Sequence, residues 1–232
     1  MSKRQEMREK RARQEQTQRI LVIVGIVVVA VAAALFLILP NLTPVGPVVN
    51  KPLNNGAQVG LSGMGNPNAP VKIIEYSDFQ CPYCKKFLDE TDQQLIDTSV
   101  TTGKVYFEYH SFGSFISPES GRAAEAAYCA GDQQKFWQMH DTNFANQGDE
   151  QAGPFFTDKR LTAFASQIGL DAGKFSDCFT SGKYASRVQQ DAVDAQTAGV
   201  KATPSFTVNG TLVEGAQPFS YFQAQIDPLL KK

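Results

Sequence analysis

The chain has 232 residues, 42% of them hydrophobic, and a formal net charge of −1. That length and balance suit one folded domain with appendages, large enough to bury a core without relying on disulfides, and not two full domains. The near-neutral charge excludes the basic footprint expected of a nucleic-acid-binding protein.

Ser2 to Arg19 is polar, with Lys3, Arg4, Arg8, Lys10, Arg11, Arg13 and Arg19 outweighing Glu6, Glu9 and Glu15. Ile20 to Leu39 follows as an uncharged apolar run of about 20 residues, long enough to cross a bilayer as a helix. The basic residues ahead of the run place residues 1–19 in the cytoplasm and the rest of the chain outside. A cleaved signal peptide would have a shorter apolar core of ~7–15 residues ending at a small-x-small site. Here Ala32, Ala33 and Ala34 lie inside the run, so we expect an uncleaved single-pass anchor over residues 20–39 of the cell membrane. From Pro40 the composition shifts to Pro, Gly and Asn, with Pro44, Pro47 and Pro52 as punctuation. Residues 40–65 are therefore expected to be a linker that holds a folded domain, 66–232, off the membrane surface.

Val71 to Tyr76 is a short apolar run of strand length with β-branched residues. Two-residue alternation puts Glu75 on the same face as Val71 and Ile73, so a carboxyl group lies in or near the core. It is either a strand-end carboxylate that finds water or a lysine, or a partly buried proton acceptor whose pKa is raised by desolvation. The strand feeds into Cys81-Pro82-Tyr83-Cys84. Cysteines at this spacing, with Pro82 suited to a first helical turn, can sit at a helix N-terminus and close a small disulfide ring. Unpaired N–H groups and the helix dipole favour a thiolate at an exposed Cys81, with Cys84 one turn further in and shielded. Half a zinc site has the same spacing, but Cys129, Cys178, His110 and His140 supply no second ligand pair of zinc-ribbon spacing. No metal and no cofactor is expected.

The helix after Cys84 runs through Phe87, Leu88, Leu95 and Ile96 to a break at Gly103, and a second strand is predicted at Val105 to Tyr109. Strand, helix, strand favours a parallel pair with a right-handed crossover. Ser117-Pro118-Glu119 is a helix start: a capping hydroxyl, proline at the first position and an acid in the first turn. Helical stripes follow at Ala123, Ala124, Ala127 and Tyr128, at Phe136, Met139, His140 and Phe144, and at Leu161, Phe164, Ala165 and Ile168. Trp137 and His140 read as packing residues rather than catalytic ones. Another helix spans roughly Lys183 to Ala198. Thr203-Pro204 stands at the entry of a strand, where a proline without an N–H belongs and where it can be cis. Asn209-Gly210 marks a hairpin, and Phe219, Phe222, Ile226 and Leu229 stripe a closing helix.

From about Asn66 to the C-terminus the chain resembles the DsbA-like branch of the thioredoxin superfamily, membrane-anchored members included. The residues carrying the resemblance are Ile74-Glu75-Tyr76-Ser77-Asp78-Phe79, Cys81-Pro82-Tyr83-Cys84, Phe136-Trp137-Gln138-Met139-His140 and Gly199-Val200-Lys201-Ala202-Thr203-Pro204-Ser205-Phe206. The resemblance implies an α/β thioredoxin fold split by a helical insertion, about 115–197, and a cis bond at Pro204 opposite the cysteines. Residue by residue, Cys81 matches the attacking cysteine, Cys84 the resolving one and Glu75 the buried acid that precedes them, with Pro82, Tyr83, Thr203 and Pro204 as the substrate-contacting surface. The inner dipeptide Pro82-Tyr83 departs from the Pro-His of the best-known DsbA proteins, which removes one source of thiolate stabilisation and implies a milder oxidant. Outside the cytoplasm disulfides persist, and Cys129 and Cys178, both in the insertion, are expected to form a structural one.

The implied activity is that of a thiol:disulfide oxidoreductase donating a Cys81–Cys84 disulfide to reduced exported proteins. A membrane redox partner of the DsbB or vitamin K epoxide reductase type would reoxidise it. The alternatives are a thiol reductase or isomerase of the same fold, and a redox-inert thioredoxin-like binding module or metallochaperone.

Overall fold

The N-terminal segment is rich in Lys, Arg, Glu, Gln and Ala, all strong helix formers, and the apolar run behind it continues the same helix. A computed structural model gives one element there, α1 (Lys3–Leu42), so the basic tail and the apolar run, read as separate segments, share one helix. Its stretch Gln16–Phe36 has a mean hydropathy of 2.9 with none of it buried. It is long and apolar enough to cross a membrane. The structure describes residues 3–42, 47–49, 57–113, 115–148 and 155–231. Pro44 and Pro52 of the expected linker, and residues 149–154 of the insertion, lie outside the described residues. The chain divides into two units, Met1–Pro44 and Val45–Lys232, and the second contains all of the cysteines.

Six strands form one mixed sheet in the order β1-β2-β4-β3-β5-β6: β1 (Gln58–Val59), β2 (Gly63–Gly65), β3 (Val71–Ser77), β4 (Val105–Ser111), β5 (Ser205–Val208) and β6 (Thr211–Glu214). The central pair, β3 and β4, is parallel from Val71↔Val105 to Ser77↔Ser111. The crossover between them starts with α2 (Pro82–Phe87) and continues through π turns and α3 (Gln93–Leu95) to Val100. The remaining neighbours are antiparallel. Asn209 (φ 46°) and Gly210 (φ 86°) supply the two positive φ values of the β5–β6 turn, as a type I′ hairpin requires.

Between β4 and β5 come α4 (Pro118–Gly131), α5 (Phe136–Ala145), α6 (Asp158–Gln167), α7 (Ala172–Thr180) and α8 (Ala185–Thr197), and α9 (Phe219–Ile226) closes the chain. α4 begins as its sequence predicts, with Pro118 in the first turn and the Ser117 hydroxyl accepting a hydrogen bond from the Glu119 N–H. Phe87, Phe206 and Phe222 meet with ring centroids 4.5–5.6 Å apart and join α2, β5 and α9. The other face of β3 carries a smaller cluster in which Tyr76 packs with Phe112, Ala195 and Val200. A thioredoxin arrangement interrupted by helices is the fold observed.

The linker expectation needs correction, because β1 and β2 lie inside residues 40–65 and Val49 is tied by its N–H and C=O to Asn146. Gly63-Met64-Gly65 offers no side-chain alternation to read, yet it pairs with β4 by backbone alone. A Cβ on Gly63 would come within 2.1 Å of the Tyr106 hydroxyl, so the glycine is what lets the strand approach. Gln58 locks the same corner, accepting from the Phe136 N–H and donating to the Gly131 carbonyl.

Candidate active site

Cys81 is the residue that caps α2, with an extended backbone (φ −74°, ψ 120°) and Pro82 behind it. Its N–H donates to the Asp78 carbonyl at 2.9 Å, and the Gln80 N–H donates to Asp78 Oδ1 at 2.8 Å, which closes the turn between β3 and α2. The insertion grips this turn from outside. Gln147 Nε2 donates to the Phe79 and Cys81 carbonyls at 2.7 and 3.0 Å, and the Ser120 hydroxyl donates to Asp78 Oδ1 and Gln80 Oε1.

Both site cysteines are free thiols. Cys84 is 0% exposed and Cys81 only 5%, less open than the sequence suggests, because the Thr203–Pro204 segment lies against it. Cys81 Sγ donates to the Thr203 carbonyl at 3.2 Å, and the Thr203–Pro204 peptide is cis. Thr203 and Pro204 are themselves buried, whereas Pro82 and Tyr83 are exposed.

The two sulfurs are electrostatically unlike. The hydrogen bond from Cys84, with further help from Thr203 and the N–H groups of Cys84 and Tyr83, outweighs burial and lowers the Cys81 pKa to about 6. Burial, then the neighbouring Cys81, raises that of Cys84 well above the ordinary thiol value. Glu75 lies between Tyr109 and Phe206 in the register of the sheet and is 2% exposed. Burial lifts its pKa to about 7.

Sequence reasoning overlooked two neighbours of Glu75. Ser77, two residues on and on the same face of β3, is fully buried, and its hydroxyl has no hydrogen-bond partner among the described residues. His140, treated as a packing residue, does pack within a ring of Phe79, Tyr109, Trp137 and Phe144, but it is also charge-coupled to Glu75. Burial disfavours its charge, while Asp141, 2.5 Å from Nδ1, together with Glu75 and Asp92 outweighs that and raises its pKa. A buried serine on an apolar face and a histidine in an aromatic stripe carry no distinctive sequence signal. The other cysteines are elsewhere: Cys129 of α4 and Cys178 of α7 are joined in a disulfide with Cα atoms 5.8 Å apart.

What this arrangement can do is exchange disulfides: a sulfur that is stable as a thiolate, a second that needs a proton, and a buried carboxyl whose pKa is near neutral. A thioredoxin family model matches residues 59–228. The Na(+)/H(+) antiporter NhaA 1 of Salinispora arenicola is 33% identical over 162 residues, 70% of this chain and 24% of that protein. The chain thus spans about a quarter of the length of the antiporters it matches. The probable disulfide bond formation protein D of Bacillus cereus is 31% identical over 173 residues, 73% of this chain and 78% of that protein. Among solved structures, oxidised BdbD from Bacillus subtilis is similar with a TM-score of 0.67 at 24% identity, covering 77% of this chain and 100% of that one. Reduced DsbA from Mycobacterium tuberculosis has a TM-score of 0.60 at 27% identity, covering 81% and 90%.

Proposed function

The chain belongs to the thioredoxin family, as a DsbA-like thiol:disulfide oxidoreductase, and on that premise we propose that it donates its Cys81–Cys84 disulfide to exported proteins from the outer side of the membrane. The observation that carries the direction is the inequality of the two sulfurs, Cys81 favoured as a thiolate and Cys84 as a thiol. A stabilised thiolate is a good leaving group, so a mixed disulfide at Cys81 resolves toward oxidised substrate. The Cys81 value of about 6 lies between the ~7 of thioredoxin and the ~3.5 of DsbA, as befits a mild oxidant with tyrosine inside the motif.

In the first step a substrate thiolate attacks Cys81 Sγ, the more accessible sulfur. The Cys81–Cys84 bond breaks, its electron pair leaves with Cys84 Sγ, and a substrate–Cys81 disulfide forms. Glu75 supplies the proton that makes Cys84 a thiol. A second substrate thiolate then attacks the substrate sulfur and releases Cys81 as a thiolate. Pro82 and Tyr83, exposed beside the sulfur, and the Thr203–Pro204 segment against it form the surface a substrate chain meets. We assign Cys129–Cys178 a purely structural part.

The anchoring half of the proposal rests on the hydropathy and length of Gln16–Phe36 and on the basic residues that precede it, which keep the N-terminus in the cytoplasm. A membrane partner of the DsbB or vitamin K epoxide reductase type would accept the electrons. The 162-residue stretch aligned with the antiporter is far longer than the 40-residue α1, so what the two chains share is chiefly the redox unit.

The test is oxidative refolding of a reduced model substrate by preoxidised full-length protein, with thiolate absorbance followed against pH. Substrate oxidation and a Cys81 pKa well below the ordinary ~8.5 support the donor. An unshifted Cys81 and no oxidation would assign the chain to the reductases. Protease accessibility of the Cys81 unit in intact protoplasts tests the topology, and protection would overturn it.

A further inference from the structure

The turn that carries Cys81 is built on a buried carboxyl group to which the exchange chemistry gives no part. Asp78, three residues before the sulfur in the sequence, is 1% exposed. Burying such a group is costly unless it is hydrogen-bonded, and donors reach it both from the turn itself and from the insertion. Oδ1 accepts from the Gln80 N–H at 2.8 Å and from the Ser120 hydroxyl at 2.6 Å, and Oδ2 accepts from the Ile116 N–H at 3.2 Å. The buried Gln80 side chain repeats the connection. Its Oε1 accepts from the Ser117 and Ser120 hydroxyls at 2.5 and 2.7 Å, and Ser117 is also the residue that caps α4. The active-site turn and the start of α4 therefore share one hydrogen-bonded junction.

We propose that Asp78 is a positioning residue for disulfide exchange, which locks the turn that aims Cys81 Sγ and fastens it to the insertion. Its main chain and side chain divide the task. The Asp78 carbonyl takes the Cys81 N–H at 2.9 Å while Oδ1 takes the Gln80 N–H, so both N–H groups ahead of the sulfur point back at one residue. Cys81 is thereby kept extended at the entry of α2. From there its Sγ meets the Thr203 carbonyl at 3.2 Å and the N–H groups of Tyr83 and Cys84. A turn free to open would carry the sulfur away from both. The inference rests on Cys81 as the exchanging sulfur and holds for either direction of transfer.

A carboxylate suits this place because it only accepts hydrogen bonds and has two oxygens to offer. One oxygen closes the turn onto an N–H two residues on, a bond that aspartate and asparagine side chains both make. The other is left for the insertion, at Ile116. Gln147 grips the carbonyls of the same turn, at Phe79 and Cys81, so its loss would leave the N–H groups tied. A carboxylate that acted through its charge alone would work in the opposite sense, since a negative neighbour opposes a thiolate. The sign of the effect on Cys81 therefore separates positioning from charge.

The experiment compares full-length wild type, Asp78→Ala, Asp78→Asn and Ser120→Ala by the rate of Cys81 alkylation against pH in the reduced protein. Single-turnover transfer from the preoxidised protein to a reduced cysteine-containing peptide is the second readout, and thermal melting the folding control. Asp78→Ala should move the alkylation midpoint upward by about one pH unit. It should also slow transfer by roughly tenfold to a hundredfold, the scale of a misplacement of about 1 Å. Asp78→Asn keeps an oxygen for the Gln80 N–H and the Ser120 hydroxyl and should recover most of both. Ser120→Ala leaves the carboxylate in place and should shift the profile the same way by less. Folded Asp78→Ala with a wild-type profile overturns the proposal, whatever its melt, as does a midpoint that moves downward or Asp78→Asn no better than Asp78→Ala. If Asp78→Ala does not fold, an unmoved profile in Ser120→Ala overturns it. Failure of the wild type to oxidise the peptide removes the donor reading alone, because the alkylation profile tests Asp78 without it.

Discussion

Cys81 and Cys84 are free thiols in sharply unequal surroundings, whereas Cys129 and Cys178 are joined between two helices of the insertion. All four are buried, from 0% to 7% exposed, so burial does not separate a reacting pair from a structural one. What separates them is the presence of partners that treat the two sulfurs differently. Cys81 has a helix N-terminus, the Cys84 thiol and Thr203 to hold its negative charge; Cys84 has a fully enclosed site and feels the charges of Cys81 and Glu75. Cys129 and Cys178 belong to the same main core as Cys81 and Cys84, but are bonded to each other. Reactivity is built from asymmetry between the two sulfurs of a pair.

The widest gap between the pairs appears on removing one sulfur from each. Cys81→Ser should abolish disulfide transfer altogether, and Cys84→Ser should accumulate covalent substrate adducts on Cys81, seen as mass-shifted species that a reductant removes. Cys129→Ser with Cys178→Ser should leave transfer at wild-type rates in protein that is still folded. Loss of transfer in the second variant would break the contrast.

Stability should show the opposite ranking. The Cys129–Cys178 link spans 49 residues, and closing a loop of that size constrains the unfolded chain by ~4 kcal/mol in the entropy model. The double serine variant should lose a large part of that in denaturant unfolding, by ~2–4 kcal/mol. A loss near zero would mean that the unfolded insertion is already compact.

How much of this contrast was legible beforehand depends on what each feature writes into sequence. A proline after a cysteine at a helix start, Asn209-Gly210 at a hairpin and Ser117-Pro118-Glu119 at a helix entry are local backbone requirements, so they read directly. Gly63-Met64-Gly65 does not, since its pairing depends on Tyr106, far along the chain. The same limit hid His140 and Gln147. Each is ordinary in its own segment and gains meaning from groups that other elements bring to it. The near-closure of Cys81 was missed for this reason too, because it depends on the fit of the Thr203–Pro204 segment.

Glu75 offers a finer test, because the asymmetry has a cost. Its pKa in the folded protein, about 7, lies above the ~4.3 of an unfolded glutamate. Between those values the folded state keeps a proton that the unfolded state releases. The associated stability is therefore fully present below the unfolded pKa and is lost as pH rises through the folded one. The shift corresponds to roughly 4 kcal/mol. Glu75→Gln should match wild type in denaturant unfolding near about pH 4 and exceed it by up to roughly 4 kcal/mol near about pH 8. A difference that stays flat with pH would show that charged His140 pairs with the carboxylate and removes the penalty.

The smallest expected effect is at Gln147, where the insertion touches the reacting pair without entering its chemistry. Its amide donates to the Phe79 and Cys81 carbonyls, the two backbone acceptors that flank the turn into α2. The Cys81 carbonyl keeps the Lys85 N–H as a second partner, so it is the Phe79 carbonyl that loses the donor named here, and the loss of a donor from these oxygens disfavours a nearby thiolate. The side chain is half-buried, so water can replace much of what it supplies. Gln147→Ala should therefore cost about 1 kcal/mol of stability, the net worth of a typical hydrogen bond, and raise the Cys81 pKa by a fraction of a unit. The rate of Cys81 alkylation against pH, read beside a denaturant melt, separates the two contributions. A lowered melt with an unmoved alkylation profile would reduce Gln147 to a clamp. A profile displaced by more than about one unit, equal to ~1.4 kcal/mol on the thiolate, would show that the insertion tunes the reacting sulfur as well as holding it.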